Sequence, residues 1–368
     1  MLDTADVFDK TKTREMIKKG RRARWWQRKG SPKKGFRYFD CNGKPITDEA
    51  QLERISSLVI PPAWKEVRIC PQPGGRLQVV GMDSRGRIQY RYHTSFTEKK
   101  QREKFAKIEK FGEYLPKLKT TTNEHLALDG LPREKVLALM MRLINSLYFR
   151  VGTELSVKHY KTYGITTLYK KHLKIGRGGK LEFNFVGKSH IEHRKVLVDP
   201  ELAAVMKDLA SLGKGRKLFR YMDEQGKPRA VTPAQVNMYL KSATDPMFSA
   251  KDFRTWGGSL LAALHLADFG PAEDEKQIKK NIVRAVKCVA EELGNTPAVC
   301  RASYIHPAVL QAYERGVTLE QFRPRKSRAI KLISAGLEPE EAALIRMFGS
   351  VGSASSGASP ASSAKAAR

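Results

Sequence analysis

The chain has 368 residues, 41% of them hydrophobic, and 68 Lys plus Arg against 38 Asp plus Glu give a formal net charge of +30. That length holds one large domain or two with a real core; no window is apolar enough to span a membrane, and the opening Met1-Leu2-Asp3-Thr4-Ala5-Asp6 lacks a signal peptide's apolar centre, so secretion is not expected. A solvated surface explains many charges but not so lopsided an excess, so a polyanionic partner is expected, nucleic acid first and an anionic membrane a distant second.

Residues 10–34 carry twelve Lys or Arg and one acid, Glu15, around Trp25-Trp26. The first half reads as a solvated basic segment; the paired tryptophans imply that part of the rest docks on protein while its cations face phosphate. From Gly35 the pattern is strand-like, with Phe36 and Tyr38 alternating into a tight turn at Asn42-Gly43. Asp48, with Gln51 three residues on, starts a helix that carries Leu52, Ile55 and Leu58. Three strands follow over 64–70, 77–82 and 88–93, joined by the turn sequences Gln72-Pro73-Gly74-Gly75 and Asp83-Ser84-Arg85-Gly86. In the last, Arg85-Gly86-Arg87-Ile88-Gln89-Tyr90-Arg91-Tyr92-His93, alternation puts Gln89, Arg91 and His93 on one face and Tyr90 and Tyr92 on the other. Such a strand suits a DNA groove, and an ordinary exposed edge equally well. Residues 1–95 therefore read as a small, mostly antiparallel β domain with a little helix.

From Phe96 the period lengthens and helices dominate. Val136, Leu139, Met140, Leu143, Ile144 and Leu147 form one apolar helix face that ends near Tyr148-Phe149-Arg150-Val151-Gly152. A small three-stranded unit follows over 172–175, 181–186 and 195–198, turned at Gly176-Arg177-Gly178-Gly179 and at Gly187-Lys188. Helices resume over 200–212, 232–242 and 253–267. A further helix carries Ile278, Ile282, Ala285, Val286, Val289 and Leu293 into Gly294, a natural stop. Thr296-Pro297 starts a second, short helix expected to hold Tyr304. The fold class is α+β: the β-rich domain 1–95, a mostly helical catalytic domain 96–345 with a small three-stranded sheet, and a disordered tail 346–368 rich in Ser, Ala and Gly. Lys365 and Arg368 in that tail brush phosphate at most.

Several chemistries drop out. Cys41, Cys70, Cys288 and Cys300 form no Cys-x-x-Cys pair, so neither zinc ribbon nor disulfide framework is indicated and a reducing interior is expected. His190-x-x-His193 lies in strand context that points the imidazoles apart, and no carboxylate or cysteine cluster completes a metal site. Gly176-Arg177-Gly178-Gly179 lacks the following helix and the Lys-Ser/Thr of a phosphate loop, and reads as a hairpin turn. No Ser–His–Asp signature is present.

What remains is a set of polar and cationic residues and one phenol: Arg150, Lys188, Arg254, Asn295 and Tyr304. Each alone is a surface charge or a packed ring. Together they stand in Arg150-Val151-Gly152, Phe185-Val186-Gly187-Lys188, Lys251-Asp252-Phe253-Arg254, Gly294-Asn295-Thr296-Pro297 and Ala302-Ser303-Tyr304. In that order they resemble the motifs of the type IB DNA topoisomerases, specifically the small poxvirus-like and bacterial branch, over roughly residues 20–325.

The resemblance implies the catalytic fold shared by tyrosine recombinases and topoisomerases IB, with double-stranded DNA as partner. Tyr304 would be the nucleophile that keeps the 3′ phosphate as a covalent ester, and Arg150 and Arg254 would hold the non-bridging oxygens. Lys188 would protonate the departing 5′ oxygen. Asn295 stands where many members have histidine and would give a neutral hydrogen bond; His306 either supplies an imidazole or has a structural or DNA-backbone role. Arg85, Arg87, Gln89, Tyr90, Arg91, Tyr92 and Lys251 would contact DNA. No metal, cofactor, ATP or membrane is expected, and the chain would act as a monomer that clamps DNA between its domains on the cytoplasmic nucleoid. The runner-up is a tyrosine site-specific recombinase, which shares the covalent step but usually shows His-x-x-Arg where this chain has Lys251-x-x-Arg254. A non-enzymatic nucleoid-binding protein explains the charge but leaves five motifs to coincidence.

Overall fold

The computed structural model describes residues 24–324 and 337–355; the basic run before residue 24 and the tail from 356, with Lys365 and Arg368, lie outside the described residues. The chain separates into two compact units, 1–104 and 105–368. A boundary was expected at residue 95, where the long helix Thr94–Leu126 starts. The units divide inside that helix because its core-facing residues, Phe105, Ile108, Phe111, Leu115 and Leu118, begin only at Phe105.

The first unit is an antiparallel sheet of β1 (Trp26–Ser31), β2 (Gly35–Phe39), β3 (Lys65–Ile69), β4 (Leu77–Met82) and β5 (Ile88–Tyr92), in the order β2-β1-β3-β4-β5. Helix α1 (Glu49–Ser57) is capped by Asp48, whose side chain accepts from Gln51 N at 2.9 Å. Ile55, Val67, Ile69 and Val79 form the core, with Trp26, Tyr38, Ile46, Leu58, Ile60 and Trp64 packed around it. Strand β1 lies in the half of the basic stretch expected to dock in part on protein, though no strand was expected there. It forms because Trp26 is apolar and Arg28 is spent on structure: its guanidinium donates to the carbonyls of Pro61 (3.2 Å) and Trp64 (2.7 Å) and covers the Phe36 ring at 4.1 Å.

The second unit takes most of α2 (Thr94–Leu126), then α3 (Arg133–Leu147), α4 (Glu154–Tyr160), β6 (Leu173–Ile175), β7 (Lys180–Val186), β8 (Glu192–Val198), α5 (Pro200–Ser211), β9 (Arg220–Met222), β10 (Pro228–Ala230), α6 (Pro233–Ala243), α7 (Asp252–Phe269), α8 (Glu275–Leu293), α9 (Pro297–Ser303), α10 (Pro307–Glu314) and α11 (Pro339–Ser355). Strands β6, β7 and β8 make the small antiparallel sheet in that order, so the chain is α+β as expected. The buried faces of α2, α3, α6, α7, α8, α10 and α11 share one core centred on Phe111, Phe253 and Trp256.

Three expectations change. Residues 346–355, expected in the tail, continue α11: Ala342, Ala343, Leu344, Met347 and Phe348 are buried, and that apolar stripe outweighs the Ser and Gly that follow. The β9–β10 hairpin was not expected, since strands of three residues carry too little alternation to read. Tyr304 does not ride on a helix but sits just past α9, at its C-cap.

Candidate active site

Four of the five expected catalytic side chains meet where α3, α7, α8 and α9 end or begin. Helix α3 stops at Tyr148, whose left-handed backbone (φ 54°) turns the chain out of the helix. The next residues are pinned: Ile165 N donates to Arg150 O (2.8 Å), and Thr166 donates to Val151 O through N (2.9 Å) and Oγ1 (2.7 Å). Gly152 (φ 89°) faces Gly164 so closely that a Cβ on Gly164 would stand 2.6 Å from Gly152 N. The Arg-x-Gly spacing is thus a backbone requirement that fixes where Arg150 starts.

Arg150 Nη2 donates to Gly294 O (2.9 Å) and to Asn295 Oδ1 (2.6 Å). Gly294 (φ 57°) closes α8, and Asn295 N still bonds back to Ala290 O at 2.9 Å, so Asn295 is aimed by the helix end. Its Nδ2 is buried, with only the weakly accepting Cys300 sulfur beside it. Arg254, in the first turn of α7, is 3% exposed. Nη1 donates to Tyr148 O and Nη2 to Leu293 O, both at 2.6 Å. Those carbonyls belong to the ends of α3 and α8, where no intrahelical N–H remains for them and the helix dipole is negative. The guanidinium carbon lies 5.2 Å from the centre of the Tyr304 ring, and Arg254 Nε is buried without a partner. Gly258, one turn on, lets the chain at Tyr304 approach α7: a Cβ there would stand 2.6 Å from Tyr304 O.

The electrostatics follow from this packing. Burial and the neighbouring Arg254 charge push Arg150 down to about 10, still protonated at neutral pH, while the Tyr304 phenol pulls the other way. Burial lowers Arg254 too, with the same phenol opposing. Among the described residues neither guanidinium has a carboxylate partner. Two cations with unspent N–H donors beside a phenol, one buried and one half-buried, make a site for an anion with several oxygens.

Lys188 stands apart. It is exposed on the β7–β8 turn, where Ser189 and His190 have left-handed backbones, and no hydrogen bond or ion pair joins it to the other four. Lys251 is exposed just before α7. His306 is committed to structure: Nδ1 accepts from Ala308 N at the start of α10, Nε2 lies 3.2 Å from Glu109 Oε1, and the ring packs on Phe105 and Phe348. In the first unit β5 is an edge strand. Asp83 accepts from Arg87 Nε (2.8 Å) and Gln89 Nε2 (3.0 Å), Tyr90 and Tyr92 stack at 6.2 Å, and Arg85 lies in the Asp83 turn.

Two residues near the cluster were given no place in it by sequence reasoning, which weighed His193 only as a metal ligand and set it aside. Lys195, buried on β8, donates to Glu292 O (3.0 Å) and Oε1 (2.8 Å). His193, two residues earlier on the same face, is buried against Gly187 and Gly294, and burial with Lys195, Arg150 and Arg254 pushes it to about 4, so its imidazole is neutral. The available signal was period-two alternation along β8, which placed both inward. Among the described residues no group of three or more His, Cys, Asp or Glu could hold a metal ion, and no helix is long and apolar enough to cross a membrane.

The family model for the catalytic core of eukaryotic DNA topoisomerase I matches residues 93–330, and that for the N-terminal domain of bacterial DNA topoisomerase IB matches residues 35–83. The DNA topoisomerase 1B of Acanthamoeba polyphaga mimivirus is 33% identical over 296 residues, 78% of this chain and 87% of that one. DNA topoisomerase 1 of rabbit fibroma virus is 27% identical over 245 residues (64% and 72%), and DNA topoisomerase 1B of vaccinia virus, strain Copenhagen, 22% over 276 (73% and 83%). These matches are to topoisomerases, and the recombinase alternative gives way. The chain belongs to the type IB DNA topoisomerases, with the catalytic fold of that family and an N-terminal domain of its bacterial type.

Proposed function

We propose that Tyr304 cuts one strand of duplex DNA by transesterification and that the same cluster reseals it after strand rotation. The observation that carries this reading is the pair of guanidiniums beside Tyr304, Arg254 buried and Arg150 half-buried, with no carboxylate among the described residues to neutralise them. The phenol gives its proton to solvent as its oxygen attacks phosphorus, the bond from phosphorus to the 5′ oxygen breaks, and the 3′ phosphate stays on Tyr304; resealing returns a proton to the phenol from solvent. Charge gathers on the non-bridging oxygens, where the remaining N–H donors of Arg150 and Arg254 and the Nδ2 of Asn295 stabilise it. Lys188 gives its proton to the departing 5′ oxygen and takes it back on resealing, when that hydroxyl attacks the phosphotyrosine. One ester replaces another, so no ATP is needed, and the fixed cations supply the electrostatic help that a metal gives elsewhere.

Arg85, Arg87, Gln89, Tyr90, Arg91, Tyr92 and Lys251 are assigned to DNA contact on the strength of the edge position of β5 and the exposure of Lys251. Their bonds to Asp83 make Arg87 and Gln89 a preset pair. The chain acts as a monomer closing on the duplex, in the cytoplasm on the nucleoid. The test is negatively supercoiled plasmid in EDTA without ATP: the wild type relaxes it and leaves a 3′ adduct when denatured in mid-reaction. Tyr304→Phe binds the plasmid but neither relaxes it nor forms the adduct; an adduct in that variant moves the nucleophile elsewhere. Binding falls steeply as salt rises, because the contacts are mostly to phosphate.

A further inference from the structure

The turn that bears Lys188 is tied to the rest of the site through one ring. His193 pairs with Phe185 across β7 and β8 and stacks on it, centroids 5.0 Å apart at 24°. Gly187, immediately before Lys188, has φ −96°, a backbone any residue adopts. What demands glycine there is the imidazole: a Cβ on Gly187 would stand 2.5 Å from His193 Cδ2 and 2.6 Å from Nε2. The adjoining edge of the ring, across the same Nε2 tip, faces Gly294, immediately before Asn295, where a Cβ would stand 2.8 Å from Nε2. Two motif glycines, far apart in sequence, leave room for the same side chain.

We infer that His193 is a positioning residue, whose ring, wedged between Gly187 and Gly294, sets the register of the Lys188 turn against the corner formed by Asn295 and Arg150. Lys195 makes a second anchor from the same face of β8, through Glu292 at the end of α8. The turn itself is compact: Gly187 N donates to Ile191 O at 2.7 Å, and Ser189 and His190 hold left-handed conformations. A displaced base therefore carries Lys188 with it as a unit. A neutral imidazole suits the place, because a charged one would face Arg150, Arg254 and Lys195. The inference rests on the proposed role of Lys188, and the experiment separates the two.

Single-turnover cleavage is measured for wild type, Lys188→Ala, His193→Ala and the double variant, on an ordinary strand and on one with sulfur in the bridging 5′ position, which leaves without a proton. A misplacement of about 1 Å costs about 10²-fold, so His193→Ala slows the ordinary cut by about that factor. Sulfur restores its rate, the double variant is no slower than Lys188→Ala alone, and DNA affinity is unchanged. His193→Phe, which keeps a flat ring in the slot, recovers most of the ordinary rate. Independent, additive effects of the two substitutions overturn the inference, as does wild-type speed in His193→Ala. Failure of sulfur to rescue Lys188→Ala removes the acid role of Lys188, while a non-additive cycle still ties His193 to that turn. If His193→Ala does not fold, His193→Gln, which removes the ring but keeps polar volume, takes its place in the cycle.

Discussion

Replacing Arg254 by alanine separates the packing role that the structure shows from the role in chemistry proposed for the same side chain. The guanidinium makes two 2.6 Å hydrogen bonds to helix-end carbonyls, and deletion leaves both carbonyls buried. A hydrogen bond from a charged donor is worth about 1.5–3 kcal/mol, and removing the cation also relieves its burial and its repulsion of Arg150, so the net loss of stability is about 3 kcal/mol. The loss in chemistry is distinct. One missing donor to the developing oxyanion costs about 10²–10³-fold, or about 2.7–4 kcal/mol of transition-state binding. The assay is covalent adduct formation under single turnover, run well below the melting temperature that calorimetry gives for the variant. Arg254→Ala stays slow on the strand with bridging sulfur as well, because its defect lies in charge stabilisation and not in proton delivery. Arg254→Lys keeps the charge but cannot bridge two carbonyls, and falls between alanine and wild type in both measurements. A folded Arg254→Ala that cleaves at close to the wild-type rate refutes the argument.

Lys188→Ala slows ordinary cleavage by about 10²–10⁴-fold and recovers on bridging sulfur, since a thiolate leaves unaided; no recovery means that Lys188 only positions phosphate. Asn295→His remains active, because a neutral imidazole can accept from Arg150 with one nitrogen and donate with the other, as the amide does; complete loss of adduct in a folded variant refutes that equivalence. His193 titrates near 6.5 when unfolded and at about 4 when folded, so the unfolded chain binds the extra proton and stability falls as pH drops from about 6.5 towards 4. Solvent screening trims the full shift to about 2 kcal/mol, and thermal melts between pH 7.5 and 4.5 should show that much less slope in His193→Phe than in wild type.

What could be read from sequence was what local pattern encodes. The cap at Asp48, the stop at Gly294 and the start at Thr296-Pro297 each need one side chain or one missing Cβ, and each lies where expected. Strand β1 was hidden because its cations spend themselves on carbonyls and rings brought from elsewhere in the unit, so polarity there did not mean solvent. The end of α11 was hidden because Ser and Gly mask a stripe that only burial reveals. At the site, Arg150, Arg254, Asn295 and Tyr304 were singled out by motif and the fold brings them together, but motif could not say what holds them. The Gly152–Gly164 contact, and the ring between Gly187 and Gly294, join residues with no common local signal, and only the folded chain brings them together.

The partners of the cations distinguish those that serve the reaction from those that serve the fold. A carboxylate beside Arg254 would satisfy its N–H groups and also cancel its charge, leaving little attraction for phosphate. Carbonyls at two helix ends satisfy the same donors and stabilise the cation through their dipoles, yet the net charge survives. Arg150 is treated alike, bonded to a carbonyl and an amide oxygen. Lys195 is the contrast: buried and close by, it is paired with the Glu292 carboxylate, and its charge is spent on holding β8 to the end of α8. Neutral acceptors keep a cation available to an anionic substrate, whereas a carboxylate removes it, and by that criterion Arg150 and Arg254 remain available for the proposed chemistry while Lys195 is spent on the scaffold.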